Sequence, residues 1–436
     1  MTFKKRRVIL MLVVIVMGFL VTGRILLQPK RKYEDLGVPI LDIHLNGATL
    51  DEIDNGNKTD VYGGNELTIY DGDFLNTYNE IEMKGRGNGT WVREKKPYQI
   101  RFNQKVDLFG LGRARKWNLL ANHADDSYLR NDLAFKLAEM LGMEYRMEGK
   151  YVELYVNNEY RGLYYLTHAV EIGKNTVNLK NPMGVLVELD NYYGRWEDHY
   201  ETNSGDIMVI EDVVTKDLSE TVMNGFIEEF NKLEGAVKTR DYERIKELID
   251  ARSFAQYFLL SEISVNPDAY WTSLYFYKDG PEDVIHAGPG WDFDLAFSNE
   301  KWANWLGERC LSPRETMIRK EELKPKEFYD ENGISNDEYE SSLLLSRLFF
   351  DLMEIKEFQD EVNEVFQERI SGREVEIMSF LATRGEDLKQ LVEKDGQRWE
   401  KRNYDEELKR LTDWLRERLL YMEEQYGGNS VRRPGF

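Results

Sequence analysis

Tyr151-Val152-Glu153-Leu154-Tyr155-Val156-Asn157-Asn158-Glu159-Tyr160-Arg161-Gly162-Leu163-Tyr164-Tyr165-Leu166 reads as two strands and a turn. β-Branched and aromatic residues fill the arms, Tyr151 to Val156 and Tyr160 to Leu166, and Asn157-Asn158 tolerates the positive φ of a tight hairpin. Upstream, Ile40 to Leu45, Ile81 to Lys84 and Tyr98 to Phe102 have the same character. One helix interrupts them, from about Ser127 to Leu141, with Asp125 or Asp126 as N-cap and Leu129, Leu133, Phe135, Leu137 and Met140 supplying its apolar content. The first half of the chain is therefore α+β.

Beyond the strand-like run Gly184 to Leu189, apolar residues recur at spacings of three and four in Glu220 to Val237, Tyr242 to Ile249 and Ser253 to Ile263, which predicts helices. A short β segment, Leu274 to Tyr277, follows. From Leu343 to Gln425 the chain is almost wholly charged-amphipathic helix, a pattern expected of scaffold rather than site.

At the other end, Lys4-Lys5-Arg6-Arg7 precedes an uncharged apolar run from Val8 to Val21, extended by Ile25-Leu26-Leu27 past Arg24. That is the layout of a signal anchor or a cleaved signal peptide, and the lack of a clear small-x-small site favours the anchor. The expected organisation is a membrane segment over residues 1–32, a β-rich part over 38–190 and a mainly helical part over 191–436. With nearly all of the mass after the anchor, the body is expected outside the cytoplasm, or secreted if the segment is cleaved.

Of the 436 residues, 42% are hydrophobic and 12% aromatic, enough for one large or two ordinary packed domains. The net charge of −21 opposes any nucleic-acid partner. A single cysteine, Cys310, excludes an internal disulfide, a four-thiolate zinc site and a CxxC redox pair. The five histidines show no HExxH spacing, and GxSxG and GxxxxGK[ST] are both absent.

Two constellations remain. Lys84-Gly85-Arg86-Gly87-Asn88-Gly89-Thr90-Trp91, followed by Lys95-Lys96-Pro97-Tyr98, alternates glycines with Arg and Asn, so that backbone N–H groups can approach an anion and the lysines can reach phosphate oxygens. A glycine-rich hairpin turn with surface lysines has the same composition. The second is Asn266-Pro267-Asp268, then Ser273, then Gly290-Trp291-Asp292-Phe293-Asp294. One aspartate on a loop leaving a helix and two more after a turn form the layout phosphoryl transfer needs: a carboxylate to orient a hydroxyl and others to hold Mg²⁺. Turn or capping roles for Asp292 and Asp294 are the competing reading.

In order along the chain, these segments resemble the CotH kinase family, the spore coat protein H-like proteins with an atypical protein-kinase fold. The resemblance rests on Arg86 to Thr90 with Lys95 to Tyr98, Lys116 to Asn122 with Asp126, Ser127, Leu129, Arg130 and Asn131, Val152 to Asn157 with Tyr160 to Tyr164, Gly184 to Asp190, Asn266 with Asp268, and Trp291 to Asp294. It covers roughly Ile40 to Phe297. It implies a two-lobed kinase-like fold with a helical carboxy-terminal extension, using ATP and Mg²⁺ or Mn²⁺. By the same resemblance, Arg86, Gly87, Asn88, Gly89 and Thr90 cradle phosphate and Lys96, or Lys95, binds it. Asp268 is the catalytic aspartate, and Asp292, Ser273 and Asp294 are the metal side. Either Glu139 or Glu153 would pair the lysine, and the segment after Tyr164 would lie near the base. Three positions depart from the family pattern: Ser273 stands where Asn is usual, His168 where Glu is usual and Gly89 where Ser is common.

The expected activity is that of a membrane-anchored kinase acting on Ser or Thr of a cell-envelope or spore-coat protein. A non-catalytic coat scaffold and an ATP-dependent transferase of AMP or an amino acid are the alternatives.

Overall fold

A computed structural model describes residues 32–72, 74–191, 198–299, 312–316, 346–399 and 403–428. The apolar run from Val8 to Val21, Cys310 and the tail residues before Ser346 lie outside them. Among the described residues no helix is long and apolar enough to cross a membrane. Lys32–Val38 belongs to one unit and Pro39–Phe436 forms another.

The second unit is mixed α+β. Seven strands, β1 (Ile40–His44), β2 (Tyr62–Asp71), β3 (Phe74–Gly85), β4 (Tyr98–Asp107), β5 (Arg113–Leu120), β6 (Gly149–Val156) and β7 (Glu159–His168), close into a barrel in the order β1-β2-β3-β4-β5-β7-β6. Only the β1–β6 pairing is parallel. Alternate residues point inward, as a pleated strand requires: Leu41 and Ile43, Ile100 and Phe102, Trp117 and Leu119, Val152, Leu154 and Val156 fill one core. The β6–β7 hairpin turns at Asn157 and Asn158 with φ of 51° and 68°, the left-handed values that the Asn-Asn pair tolerates.

Two barrel strands escaped sequence reading. The front of β2 is disguised by Gly63 and Gly64, and β5 opens with Arg113, Arg115 and Lys116, so neither begins with an apolar run. A short helix, α1 (Leu50–Asn55), sits between β1 and β2 behind a Thr49–Glu52 capping box.

Helix α2 (Arg130–Leu141) starts three residues later than the expected Ser127. Tyr128 takes φ of +62°, which interrupts the helical path. Neither Asp125 nor Asp126 is its N-cap: that position is Leu129, with no side-chain cap. The Asp125 carboxylate nevertheless accepts the N–H groups of Ser127 and Arg130, both at 2.9 Å.

The second sheet runs β12-β11-β8-β10-β9, built from β8 (Gly184–Leu189), β9 (Tyr200–Glu201), β10 (Ile207–Val213), β11 (Leu274–Asp279) and β12 (His286–Ala287). Helices α3 (Ser219–Thr239), α4 (Tyr242–Lys246) and α5 (Ala251–Ser264) come between β10 and β11. Phe230 of α3 and Phe254 of α5 meet Phe276 of β11 with ring centroids 5.3 and 5.7 Å apart, fastening α3 and α5 to the sheet.

The charged carboxy-terminal stretch forms α6 (Leu348–Leu352), α7 (Lys356–Arg369), α8 (Glu374–Arg398) and α9 (Tyr404–Tyr426). Helix α8 lies against the barrel. Lys394 Nζ meets Glu153 Oε1 at 2.6 Å, Trp399 Nε1 donates to the Arg161 carbonyl at 2.7 Å, and the Arg161 guanidinium covers the Trp399 ring.

Candidate active site

A cavity of about 800 Å³ opens where loops from the barrel and the second sheet meet. Arg86 to Thr90, leaving β3, form one wall; Leu120, Ala121, Asn122 and Ala124, leaving β5, form another. Further lining comes from Glu188 and Asp190 at the end of β8, Asp268 and Trp271 to Ser273 before β11, and Trp291, Asp292, Asp294 and Leu295 after β12. The cavity thus brings together Arg86, Gly87, Asn88, Gly89, Thr90, Asp268, Ser273, Asp292 and Asp294, which are 208 residues apart at their extremes, 294 minus 86.

Lys95 and Lys96 are absent from the described residues that line it. Lys95 is buried, and its ammonium donates to the Leu163 carbonyl at 2.6 Å and to Asp395 Oδ1 at 2.7 Å. Lys96 Nζ donates to the Trp91 carbonyl at 2.7 Å and sits over that indole. Neither glutamate weighed as the lysine's partner takes that place: Glu153 pairs with Lys394, and Glu139 with Lys136. Among the cations that line the cavity, Arg86 faces the acids. Its guanidinium lies 5.5 Å from the Trp291 ring centroid; burial disfavours its charge, and Asp292 and then Asp294 are among the groups that counter this. Residues 165–187 are absent from the described residues that line the cavity.

The glycine loop has its shape from packing. Gly85 has the Trp91 ring so close that any Cβ would overlap it, and Gly87, at φ of +79°, faces Thr90 Oγ1 in the same way. Gly89 has nothing within 4 Å of a would-be Cβ. The Arg86 N–H donates to the Pro97 carbonyl at 3.3 Å, so the strand after the loop holds its start.

The acid wall is held by side-chain amides. Asn266 Oδ1 accepts the Asp268 N–H at 3.3 Å while its Nδ2 donates to the Asp292 carbonyl at 3.2 Å, tying the two aspartate loops together. Asn131 Oδ1, from α2, accepts the Phe293 N–H at 3.0 Å. Asn299 Nδ2 donates to the carbonyls of Ala124 at 2.6 Å and Asp294 at 2.7 Å. Arg130, wholly buried, donates to the Ala296 carbonyl at 2.8 Å and pairs with Asp125 and with Glu407 of α9. Arg418 of α9 donates to the Glu262 carbonyl at 2.9 Å near the end of α5. The helical tail therefore holds in place the loops that carry the acids.

Strain gathers at the same place. Among the described non-glycine residues twelve have positive φ, and five of them, Val265, Ser273, Asp292, Phe297 and Ser298, lie in the segment that carries the acids. For β-branched Val265, at φ of +45°, this conformation is costly, and such outliers concentrate at functional sites.

The carboxylates crowd one another. Burial, then the charge of Asp292, then that of Asp268, hold the Asp294 carboxyl well above its ordinary range. Glu188 is likewise raised, by burial and then by Glu211, Asp190 and Asp292. Asp190 accepts a hydrogen bond from Thr272 Oγ1 at 2.8 Å.

The profile of the CotH kinase protein family matches residues 82–422, most of the chain. The chain belongs to that family. No curated protein matches it. CotH membership accounts for the ordered sequence segments noted above, and the matched range contains every residue so far placed on the cavity wall.

An ATP-using CotH kinase would bring a divalent cation, and the donor set can be tested for it. Hard carboxylate oxygens are what Mg²⁺ prefers, and crowded acids that hold a raised carboxyl lose their repulsion when a cation lies among them. Among the described residues, no three His, Cys, Asp or Glu side chains converge as a ready-made cage. That suits Mg²⁺, which commonly takes one or two carboxylates and completes its shell with phosphate and water. Among the described residues, Asn122 Nδ2, buried on the wall at φ of +51°, finds no hydrogen-bond partner, a polar atom that a bound ligand would satisfy. The residues fit.

Sequence reading missed Lys58 on the rim, the cavity positions of Asn122 and Asp190, and Asp395. Lys58 sits in the polar turn Asn55 to Asp60, and Asp395 among the charges of α8, so no local pattern marks either.

Proposed function

We propose that this chain is a Mg²⁺- and ATP-dependent protein kinase that phosphorylates Ser or Thr of a cell-envelope or spore-coat protein. The observation that carries the reading is one cavity lined by a glycine loop with Arg86 and by Asp268, Asp292 and Asp294. The barrel side and the helical side, divided near residue 190, would then act as the two lobes of a kinase-like fold. The amino-terminal segment would anchor the body at the membrane, facing out of the cytoplasm.

In this mechanism the N–H groups of Gly87 to Thr90 and the Arg86 guanidinium bind the phosphates of ATP. Asp268 accepts the proton of the attacking hydroxyl while the oxygen–phosphorus bond forms and the bond to the ADP oxygen breaks. Mg²⁺, held by Asp292 and Asp294 and less directly by Ser273, would neutralise charge developing on the transferred phosphoryl group. Lys95 and Lys96 have no direct role, because their ammonium groups are engaged elsewhere. Asn266, Asn131 and Asn299 keep the acid loops in register.

The test uses the purified chain with Mg²⁺ or Mn²⁺ and ATP labelled in parallel at the γ or the α phosphate, beside Asp292→Ala. Transfer from the γ position alone, lost in the variant, supports a kinase. Transfer from the α position assigns nucleotidyl transfer instead, and no transfer with no ATP-dependent thermal shift assigns a non-catalytic scaffold.

A further inference from the structure

Strand β5 ends at Leu120, and the chain then turns so that the Asp125 N–H donates to the Asn122 carbonyl at 3.1 Å. Asn122 lines the cavity from this turn, with its backbone at φ of +51°. Contacts on two sides place it. On one, Tyr98 of β4 pairs with Gly85, at the start of the glycine loop, and with Leu119, near the end of β5; a Cβ on Gly87 would stand 3.5 Å from Pro97. On the other, Asn299 Nδ2 ties the Ala124 carbonyl, two residues beyond Asn122, to the Asp294 carbonyl. Asn122 thus sits on the stretch of wall that joins the glycine loop to Asp294.

Asn122 is 6% exposed and, among the described residues, its Nδ2 finds no hydrogen-bond partner. The wall residues next to it in the chain, Leu120, Ala121 and Ala124, have apolar side chains and offer it no acceptor. A buried donor left unpaired costs stability, so an amide kept in that state points to an acceptor that arrives with a ligand. The terminal amide torsion is soft and roughly two-fold, so Nδ2 can turn into the cavity. In a kinase site, the ligand atoms between a glycine loop and a metal-holding aspartate are the oxygens of the terminal phosphate.

We infer that Asn122 is a ligand-binding residue whose carboxamide N–H donates to a terminal phosphoryl oxygen of a nucleoside triphosphate. The inference rests on the kinase reading above and adds to it how the site tells a triphosphate from a diphosphate, because the γ-phosphoryl group brings an acceptor that ADP lacks.

The experiment titrates the full chain with Mg·ADP and with Mg·AMP-PNP, a non-hydrolysable triphosphate, for the wild type, Asn122→Gly and Asn122→Asp. Melting temperatures without ligand report which variants fold. Glycine removes the amide and keeps the positive φ, whereas aspartate keeps the shape and the left-handed tolerance but turns the donor into a charged acceptor. Asn122→Gly should weaken Mg·AMP-PNP binding about tenfold and leave Mg·ADP within about twofold, and Asn122→Asp should weaken the triphosphate further. Equal loss for both nucleotides would make Asn122 a support of its turn and overturn the inference. So would variants that bind the triphosphate as tightly as the wild type. If the added carboxylate keeps Asn122→Asp from folding, Asn122→Gly decides alone, and the reverse holds. A wild-type chain that binds neither nucleotide overturns the kinase reading itself, a result distinct from an unselective loss in the variants.

Discussion

Lys95 Nζ lies 2.7 Å from Asp395 Oδ1, a pair 300 residues apart whose side chains are 1% and 0% exposed. The carboxylate also accepts the Leu163 N–H at 2.6 Å and the Tyr128 hydroxyl, so a strand of the barrel, the loop before α2 and the tail helix α8 meet on one acid. Gly162 makes the approach possible, because a Cβ there would overlap Asp395 Oδ1. A buried ion pair with these extra donors is structural: removing one partner leaves the other charged and desolvated.

Lys95→Met is therefore expected to cost about 3–5 kcal/mol of stability, the usual result of breaking a buried pair from one side. Urea unfolding followed by circular dichroism measures it. ATP affinity should stay within a few-fold of the wild type in whatever fraction remains folded. A variant with unchanged stability and abolished ATP binding would return Lys95 to the active site. Gly162→Ala should destabilise in the same direction, since it loads both the φ of +118° and the space Asp395 occupies.

The glycine loop offers an internal control. Gly87→Ala must leave φ of +79° or push Thr90 aside, so ATP affinity should fall about tenfold or more, as measured by calorimetry. Gly89→Ala meets open space, and Gly89→Ser adds a hydroxyl at no steric cost; both should bind ATP within about twofold of the wild type. Equal losses at Gly87 and Gly89 would mean that the loop is not shaped by the Thr90 contact.

The contrast between residues explains how much of this protein was legible in its sequence. The β6–β7 hairpin, the helices from Ser219 to Ser264 and the site loops announce themselves through local periodicity and turn chemistry, and the structure brings Arg86 to Thr90, Asp268, Ser273, Asp292 and Asp294 to one cavity. Lys95 and Lys96 look like phosphate ligands because they follow a glycine loop. Lys95 is removed by Asp395, whose contact no local pattern encodes, and Lys96 by the carbonyl and ring of Trp91. The start of α2 differs for a related reason: Asp125 and Asp126 resemble caps, yet Tyr128 takes a left-handed conformation fixed by contacts through its hydroxyl and backbone, with Tyr151 Oη donating to its carbonyl at 2.7 Å. Strand β5 was invisible because its first residues face outward as Arg and Lys, and only pairing with β4 and β7 makes them a strand.

Asp268→Asn and Asp292→Asn separate the two acid roles. Removing the proton acceptor at Asp268 should lower kcat by about 10²–10⁴-fold while Mg·ATP binding persists, since the contribution is to the chemical step. Asp292→Asn should weaken Mg·ATP binding as well as turnover, because one oxygen ligand becomes a neutral amide. Single-turnover phosphorylation and nucleotide titration, run on both variants, distinguish these patterns; identical profiles would argue against distinct roles.

Asp294 makes stability depend on pH with a definite sign. Unfolded, its carboxyl titrates near 3.8; folded, burial and the charges of Asp292 and Asp268 hold it well above that value. Between those two points the native state keeps a proton that the unfolded state has released, so the stability of the metal-free protein falls as pH rises through that window and levels off above the folded value. Asp294→Asn has no such proton. Its melting temperature should match the wild type below about pH 4 and exceed it increasingly as pH rises, reaching a constant difference once the wild-type carboxyl has ionised. Mg²⁺ competes with the same proton, so its stabilisation of the wild type should grow with pH and be reduced in Asp294→Asn. Melting curves across pH 3.5 to 9, with and without Mg²⁺, test both effects. Wild-type and variant curves that run parallel throughout would mean that the acid wall carries no raised carboxyl at Asp294, and that its crowding is relieved in some other way.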